Sequence, residues 1–302
     1  MNILILGAGA IGSLFGALLS KKNNVLLVGR TPHVHAIKEN GLKIKGRTNL
    51  TVKIPAEDSI DKVTTSPDLL ILTVKSYDTE PAIKQAKKII NDDAMILSLQ
   101  NGLDNTAKIE KIVNRKNIVA GVTTHGVFFS RSGVIKHTGK GKTILGELDG
   151  KKSERLKHIT SVFNEANIET TISTDIIKEI WTKAIINSSI NPLTTFLQCK
   201  NGYLLENLLL ENIVEKICME STMIANKEGI RLSYQDIYKK TREVIQNTSE
   251  NYSSMLQSFK RGKKTEIESI NGRIVDIGRK HGIEPLMNEI LVYLVKSTCE
   301  VL

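Results

Sequence analysis

Residues 2–28 read NILILGAGAIGSLFGALLSKKNNVLLV, and this stretch decides the fold of the first half of the chain. Its apolar start, Asn2–Leu6, predicts a buried strand, and an apolar helical pattern then leads to a second strand at residues 25–28. Gly7, Gly9 and Gly12 stand between the first strand and the helix at G-x-G-x-x-G spacing, the context in which this motif binds a dinucleotide. The alternative is a tight turn that binds nothing.

The glycines have separate physical roles. Gly7 permits the tight turn, Gly9 lets a pyrophosphate approach the backbone, and Gly12 lets the helix pack close to the strand. The helix N-terminus then directs its free N–H groups at the phosphates. The predicted phosphate-binding loop is Gly7, Ala8, Gly9, Ala10, Ile11 and Gly12.

The end of the second strand indicates which dinucleotide binds. An Asp or Glu there would bond the ribose 2′-hydroxyl of NAD(H), but the chain has Val28-Gly29-Arg30 instead. Arg30 can pair a 2′-phosphate with its planar fork, which favours NADP(H) and leaves NAD(H) possible. The alternative is an arginine that faces solvent. His33 and His35 have no third ligand nearby in sequence and are interpreted as surface residues.

Further buried strands are predicted at residues 68–74, 94–99 and 118–121. Lys75 follows the first and Asn101 the second. Ligands of open α/β sheets bind beyond the carboxyl ends of the strands, so Lys75 is placed to meet a cofactor or an anionic substrate. A solvated loop lysine is the alternative. Residues 127–129, 134–137 and 143–145 are short and separated by glycines, which predicts an antiparallel extension of the same sheet.

From Thr174 onward the pattern is helical. We therefore predict an α/β Rossmann-type NADP(H)-binding domain over residues 1–173 and an all-α substrate and dimerisation domain over residues 174–302. Predicted helices after the first lie at 207–227, 234–247, 253–260, 266–281 and 284–302. In the fourth of these, Ile267, Ile270, Ile274 and Ile277 form the core stripe.

The first helix of this half begins near Thr174 or Asp175, and Pro192 predicts its end at about Asn191. Glu179, Lys183, Asn187 and Asn191 recur every fourth residue and share one face of an otherwise apolar helix. Unpaired buried polar groups are costly, so these side chains need partners. They form either an internal ion pair of Glu179 with Lys183, plus structural amides, or the wall of a cleft for a small polar ligand.

Composition narrows the class of protein. The 302 residues carry a net charge of +10, which favours anionic ligands, but the basic segments 136–142 and 260–264 lack the aromatic pattern of a nucleic-acid reader and are interpreted as solvated loops. No metal site is predicted. The N-terminal residues lack the pattern of a signal peptide, and no apolar run is long enough to span a bilayer. Cys199, Cys218 and Cys299 are interpreted as reduced thiols. A cytoplasmic protein is therefore expected.

The chain resembles the ketopantoate reductases (2-dehydropantoate 2-reductases) of pantothenate and coenzyme A biosynthesis. The resemblance covers nearly the whole chain. Its more specific motifs are the Lys-Asn-Asn helix, N-x-S-S-M-L from Asn251 and T-E-I-x-x-I-N-G from Thr265. It implies NADPH-dependent reduction of 2-dehydropantoate to (R)-pantoate, and a homodimer by family analogy.

The resemblance also implies roles for individual residues. Lys183 matches the family's catalytic lysine, and Asn101 matches a residue that touches both ligands. The positions on the cofactor side are Lys75, Gly126 and Glu266. The substrate contacts are Lys183, Asn187, Asn191, Asn201, Asn251 and Ser254.

The implied chemistry fits these residue types. Negative charge grows on the ketone oxygen during hydride transfer, and Lys183 can stabilise that charge and donate a proton, with Glu266 orienting Lys183 or holding the nicotinamide ribose. Two alternatives remain: a related NAD(P)-dependent 2-oxo acid reductase of the same fold, and a non-catalytic NADP(H)-binding sensor. A sensor has no need of Lys183, Asn187, Ser254 and Glu266 together.

Overall fold

The computed structural model describes the backbone of residues 1–300 and the side chains of residues 1–298, so the Cys299 thiol lies outside the described residues. The backbone forms two compact units. The first comprises Met1–Gln100 and Asn105–Ile176, and the second comprises Asn101–Asp104 and the chain from Ile177 onward. The binding roles assigned to the domains 1–173 and 174–302 stay predictions.

The first unit is built on an eight-stranded sheet in the order β12-β11-β8-β7-β6-β1-β2-β5. Its strands are β1 (Asn2–Leu6), β2 (Asn24–Val28), β5 (Ala56–Glu57), β6 (Leu69–Leu72), β7 (Met95–Ser98), β8 (Ile118–Thr123), β11 (Thr143–Glu147) and β12 (Thr170–Ile172). All neighbours are parallel except β11, which runs antiparallel to β8. Its helices are α1 (Ala10–Leu19), α2 (Thr31–Asn40), α3 (Thr79–Ala86), α4 (Asn105–Glu110) and α5 (Glu154–Glu165).

Burial explains why the central strands are almost wholly apolar. Every residue of β6 is buried, as is every residue of β1 after Asn2, because apolar clusters cover both faces of the sheet. The predicted parallel α/β architecture is confirmed.

The short strands after β8 were only partly predicted. A separate four-stranded sheet contains β4 (Leu50–Val52), β3 (Leu42–Gly46), β10 (Val134–Gly139) and β9 (Gly126–Arg131), in that order. Only β11 extends the main sheet, so the prediction that all three segments extend it was wrong. The register pairs β10 in parallel with β3, Val134 opposite Lys43, a partner some ninety residues earlier that local patterns do not reveal.

The second unit is helical, as predicted. Its helices are α6 (Ile176–Leu197), α7 (Tyr203–Glu206), α8 (Leu208–Lys227), α9 (Tyr234–Asn247), α10 (Ser254–Phe259), α11 (Arg273–Lys280) and α12 (Leu286–Glu300). A π-helical turn, Glu268–Gly272, precedes α11, so the segment predicted as one helix over 266–281 changes geometry within its length. Its stripe of Ile267, Ile270, Ile274 and Ile277 is buried as predicted.

Helix α6 continues through Pro192 to Leu197, so its predicted end at Asn191 was wrong. Proline removes one backbone donor and costs about 3 kcal/mol in a helix interior. Here the surrounding residues, Asn191 to Thr195, are all buried, and the hydroxyls of Thr194 and Thr195 donate to the carbonyl of Asn191 at 3.1 and 2.7 Å. Packing and these side-chain bonds keep the segment helical.

Within residues 1–300, no helix is both long and apolar enough to cross a membrane. The same part of the chain holds no group of three His, Cys, Asp or Glu side chains arranged to bind a metal ion.

Candidate active site

The glycine loop joins β1 to α1 in a conformation that only glycine allows at two positions. Gly7 has φ of +110°, and a Cβ there would lie 2.4 Å from the Val74 nitrogen. A Cβ at Gly12 would lie 2.3 Å from the Gly7 carbonyl oxygen and 2.5 Å from Thr73 Oγ1. Thr73 Oγ1 donates to that same carbonyl at 2.8 Å, which fixes the loop against the end of β6.

Gly9 differs from the other two glycines because the space above it is open. A Cβ there would meet only the Gly7 carbonyl oxygen, at 3.9 Å. Gly9 is also the N-cap of α1, and no acidic side chain stands in the first turn of that helix. The first-turn N–H groups, the positive end of the helix dipole and the open approach together fit a dinucleotide pyrophosphate.

Arg30 lies exposed at the end of β2, as the N-cap of α2. The nearby carboxylates of Glu57 and Asp58 pair with Lys38 and Lys62, at 2.9 and 2.7 Å. Among the described side chains Arg30 itself joins no ion pair, and the Lys62 ammonium holds the pKa of Asp58 below its usual range. Arg30 is therefore a cation available to a phosphate.

His33 is buried, at 3% exposure, so its interpretation as a surface residue was wrong. Its Nδ1 accepts from the Gly133 N–H at 2.9 Å, which leaves Nε2 to donate to Ser13 Oγ at 3.0 Å. Burial lowers the pKa of His33 to about 4. The helical spacing from His33 to buried Ile37 carried this signal in the sequence. His35 is exposed, as expected.

Gly126 opens β9 beside a pair of histidines. His137 Nε2 lies 3.0 Å from the Gly139 carbonyl and 3.1 Å from His125 Nδ1, while Thr48 Oγ1 lies 2.9 Å from His137 Nδ1. A Cβ at Gly126 would lie 2.8 Å from Thr138 Oγ1 and 3.1 Å from the Gly139 nitrogen, so a side chain there would crowd β10. His137 is buried, which corrects the interpretation of residues 136–142 as a solvated loop.

Lys75 is half-buried just beyond β6, where it caps the turn Ser76–Asp78. Gln100, at the end of β7, holds this segment: its Nε2 donates to the Val74 carbonyl at 3.0 Å and to Thr79 Oγ1 at 2.8 Å. The first unit thus brings together the glycine loop and Lys75 through contacts of Gly7 and Gly12 with Val74 and Thr73.

Asn101 belongs to the second unit. Its neighbour Gly102 has φ of +104°, and a Cβ there would lie 2.9 Å from the Ser269 carbonyl. Leu103 N–H donates to that carbonyl at 3.1 Å. The segment of Asn101 is therefore fixed to the π-helical turn that follows Glu266.

Lys183 and Glu266 also belong to the second unit. Lys183 is half-buried on α6, and Glu266 is 6% exposed. Burial lowers the pKa of Lys183 to about 8, and the charge of Glu266 partly offsets this shift. Among the described side chains no ion pair joins Glu179 to Lys183, so the electrostatic partner of the lysine is Glu266.

Two of the amides predicted to contact substrate have polar atoms without partners. Asn191 Nδ2 and Asn201 Oδ1 are buried, and neither makes a hydrogen bond to any residue the structure describes. Asn201 Nδ2 donates to Thr248 Oγ1 at 2.9 Å, and its backbone N–H donates to the Asn251 carbonyl at 3.0 Å. These two amides therefore leave one donor and one acceptor unpaired, and a ligand that bonded both atoms would remove the energetic cost of burying them.

The remaining substrate positions are more open. Asn187 and Asn251 are half-buried, and Ser254 is exposed at the start of α10. Ser253 is the N-cap of α10, and its Oγ lies 2.8 Å from Thr194 Oγ1 in a hydrogen bond that ties this segment to α6.

Both halves of the chain are similar in sequence to one family of known proteins. The family model of the ketopantoate reductases PanE/ApbA matches residues 3–150, and that of the same family's C-terminal domain matches residues 175–298. The chain belongs to the ketopantoate reductase family. It is an oxidoreductase with the family's α/β dinucleotide-binding and helical domains.

A curated relative shows the same match over nearly full length. The 2-dehydropantoate 2-reductase of Pyrococcus abyssi is 44% identical over 300 residues, covering 98% of this chain and 97% of the relative. Ketopantoate reductase membership thus rests on both halves of the sequence.

Two solved structures share the fold closely. A D-mandelate dehydrogenase with NADH and anilino(oxo)acetate has a TM-score of 0.95 at 30% identity, covering 100% of this chain and 99% of that one. A PanE/ApbA family ketopantoate reductase from Ralstonia eutropha has a TM-score of 0.92 at 28% identity, with the same coverage.

Sequence reasoning missed several residues that build the site. Thr73 stood within a predicted strand and has no motif of its own. Pro192 was interpreted as the end of a helix, and Asn271 was noted only as part of a motif, although Asn271 Nδ2 donates to a carbonyl of α6. The four-residue step from Ser188 to Pro192 was the available signal, because it marks the carbonyl that loses its helical donor.

Proposed function

We propose that this chain reduces 2-dehydropantoate to (R)-pantoate with NADPH, in pantothenate and coenzyme A biosynthesis. The family membership and the named relatives support this reaction.

The observation that carries the proposal is the pair of unpartnered amide atoms on the unit that holds Lys183. A substrate hydroxyl can donate to Asn201 Oδ1 and accept from Asn191 Nδ2. 2-Dehydropantoate has such a hydroxyl beside its ketone and carboxylate. A 2-oxo acid without it would leave both buried atoms unpaired, a loss of about 1–3 kcal/mol for each atom.

Lys183 acts as the general acid. A bound nicotinamide supplies the hydride to the ketone carbon. The ketone oxygen then gains negative charge, which the Lys183 ammonium stabilises before it donates a proton from Nζ. Its pKa of about 8 suits this role, because the group is largely protonated at neutral pH and gives up its proton more readily than an ordinary lysine.

The other residues bind and orient. Asn187, Asn191 and Asn201 hold the hydroxyl side of the substrate, while Asn251 and Ser254 serve the carboxylate. Glu266 orients Lys183 and keeps its pKa from falling further.

The cofactor roles are assigned to the first unit and to Asn101. The loop of Gly7, Ala8, Gly9, Ala10, Ile11 and Gly12 holds the pyrophosphate. Arg30 holds the 2′-phosphate, which favours NADPH over NADH. Lys75, Asn101, Gly126 and Glu266 complete the contacts to the cofactor.

A second candidate is reduction of another 2-oxo acid with NADH. The high structural similarity to a D-mandelate dehydrogenase solved with NADH supports this candidate. The first candidate requires a substrate hydroxyl and the 2′-phosphate of NADPH, and the second requires neither. The homodimer and the cytoplasmic location stay predictions.

Absorbance of NADPH or NADH, followed with a set of substrates, tests the proposal. The set contains 2-dehydropantoate, 3-methyl-2-oxobutanoate, which lacks only the hydroxymethyl group, and benzoylformate, the 2-oxo acid of mandelate. We expect the highest kcat/KM for 2-dehydropantoate with NADPH. Preference for benzoylformate with NADH would support the second candidate, and flat traces throughout would support a sensor.

A further inference from the structure

The carbonyl of Ser188 lacks its helical donor. In an α-helix this carbonyl accepts from the backbone N–H four residues later, and that residue is Pro192, which has none. Ser188 and Pro192 are both buried, so water is a poor substitute. An unsatisfied carbonyl would stand in α6 between Asn187 and Asn191, two of the predicted substrate contacts.

Asn271 supplies the missing donor. Its Nδ2 lies 3.1 Å from the Ser188 carbonyl oxygen and 3.0 Å from Asn288 Oδ1, and both amides are fully buried. Asn271 Oδ1 has no partner among the described residues. The two N–H groups of its side chain are therefore what this position requires of an amide.

The carboxylate of Glu220 determines which atoms of Asn288 and Asn271 donate and which accept. Glu220 accepts from the backbone N–H groups of Met287 and Asn288 at the start of α12, at 2.8 and 2.9 Å. A carboxylate can only accept, so Asn288 turns Nδ2 to Glu220, at 2.8 Å, and Oδ1 to Asn271. Asn271 must then present Nδ2, and its second N–H is aimed at Ser188.

The π-helical turn Glu268–Gly272 carries Asn271 and also holds the Asn101 segment. The Ser269 carbonyl accepts from Leu103 N–H at 3.1 Å, and Glu266 stands two residues before the turn. A π-turn inside a helix is rare and is often found at functional sites. This turn therefore joins α6 to two other segments of the proposed site.

We propose that Asn271 is a positioning residue that replaces the N–H missing at Pro192 and so keeps Lys183, Asn187 and Asn191 aligned along one face of α6. The kinetic consequence rests on the proposed function, because it assumes that this face binds the 2-oxo acid. The structural consequence, a helix held together at Pro192, does not depend on the reaction.

A double-mutant cycle tests the proposal on the full chain. Pro192→Ala restores a backbone N–H to the Ser188 carbonyl, so it should make Asn271 less necessary. We expect Asn271→Ala to raise KM for 2-dehydropantoate about tenfold or more, with little change in KM for NADPH. In the Pro192→Ala background the same substitution should raise KM by only a small factor. Equal factors in both backgrounds would overturn the proposal.

Two further variants separate positioning from general stability. Asn271→Leu keeps a similar volume but removes the donors, and it should raise KM for the 2-oxo acid as Asn271→Ala does. Asn117→Ala removes a buried amide of the first unit whose Nδ2 donates to the Ala94 carbonyl at 3.0 Å. It should lower Tm without changing KM for the 2-oxo acid. An Asn271→Leu variant with wild-type kinetics would contradict the proposal.

Hydrogen–deuterium exchange gives a readout that does not need the reaction. Asn271→Ala should speed exchange of backbone amides over residues 188–196, and Pro192→Ala should reverse much of that change. If no 2-oxo acid is reduced, the proposed function fails while this readout still decides the role of Asn271. Unchanged exchange in Asn271→Ala would overturn that role.

Discussion

The carboxylate of Glu266 raises the pKa of Lys183 against the stronger opposing effect of burial, which leaves that pKa at about 8. Since the proposed acid is the protonated lysine, kcat/KM for the ketone should fall as pH rises through about 8. Glu266→Gln removes the negative charge, so the pKa of Lys183 falls further and the alkaline limb moves to lower pH. The measurement is a pH profile of kcat/KM from pH 5.5 to 10.

The control for this prediction is Glu268→Gln. Glu268 is exposed and pairs with Lys296, so its loss should leave the profile in place. An alkaline limb at the same pH in Glu266→Gln as in wild type would refute the proposed electrostatic role of Glu266.

Lys183→Ala should abolish most of the turnover. The loss of a general acid and of a charge beside the ketone oxygen predicts a fall in kcat of about 10²–10⁴-fold. Binding of NADPH, measured by fluorescence titration, should be nearly unchanged, because the phosphate contacts are assigned to the first unit. Lys178→Ala removes an exposed lysine of the same helix and should behave as wild type. Full kcat in Lys183→Ala would exclude it as the acid.

Two alanine substitutions in the glycine loop should fail in different ways. At Gly12 a Cβ would lie 2.3 Å from the Gly7 carbonyl oxygen, so Gly12→Ala should destabilise the fold by about 1–3 kcal/mol through overpacking. At Gly9 the nearest atom is 3.9 Å away, so Gly9→Ala should keep the wild-type Tm. Its KM for NADPH should rise about tenfold or more, because the methyl group stands where a pyrophosphate approaches.

Thermal unfolding and cofactor titration of the two variants check this contrast. An unchanged KM for NADPH in Gly9→Ala would mean that the pyrophosphate does not approach the loop at that residue.

Arg30→Ala should weaken the binding of NADPH and leave the binding of NADH nearly unchanged. A charge-assisted contact to the 2′-phosphate is worth about 1.5–3 kcal/mol, so KM for NADPH should rise about ten- to a hundredfold, and KM for NADH should barely change. The measurement is KM for both cofactors at one concentration of 2-oxo acid. Arg47→Ala, another exposed arginine of the first unit, is the control. Equal effects on both cofactors would refute a phosphate role for Arg30.

Local patterns predicted the parts of the fold whose causes are local. The glycines between β1 and α1 act within a few residues of one another. The strand before them was predicted to the residue, and a helix was predicted after them. Two errors share a different cause. The β10 strand pairs with β3, and α6 continues past Pro192 with Asn271 donating to Ser188. In both cases the deciding partner lies about eighty or ninety residues away in sequence.

The candidate site divides in a similar way. The residue types and positions of Lys183, Asn191 and Asn201 followed from the helix pattern and the resemblance. The expectation that Glu266 orients Lys183 came from the resemblance. The unpartnered Asn191 Nδ2 and Asn201 Oδ1 depend on which atoms the fold brings together. No spacing rule gives those contacts.

The burial of neutral His33 predicts a loss of stability in acid. The pKa of His33 is lowered from 6.5 to about 4, so the unfolded chain binds a proton in this range that the folded chain does not. This contribution is complete above about pH 6.5 and is lost as pH falls toward 4. At about 1.4 kcal/mol per pKa unit it amounts to about 3 kcal/mol.

His33→Asn tests this pH dependence. An asparagine oxygen can accept from the Gly133 N–H in place of Nδ1, but it does not titrate in this range. The free energy of unfolding in urea should therefore vary less between pH 7 and 4 in the variant than in wild type. His35→Asn is the matched control, because the His35 side chain is 72% exposed and its loss should leave the dependence unchanged. A wild-type slope in His33→Asn would mean that the acid sensitivity arises elsewhere. The next residues to replace would then be His125 and His137, whose pKa values burial also lowers.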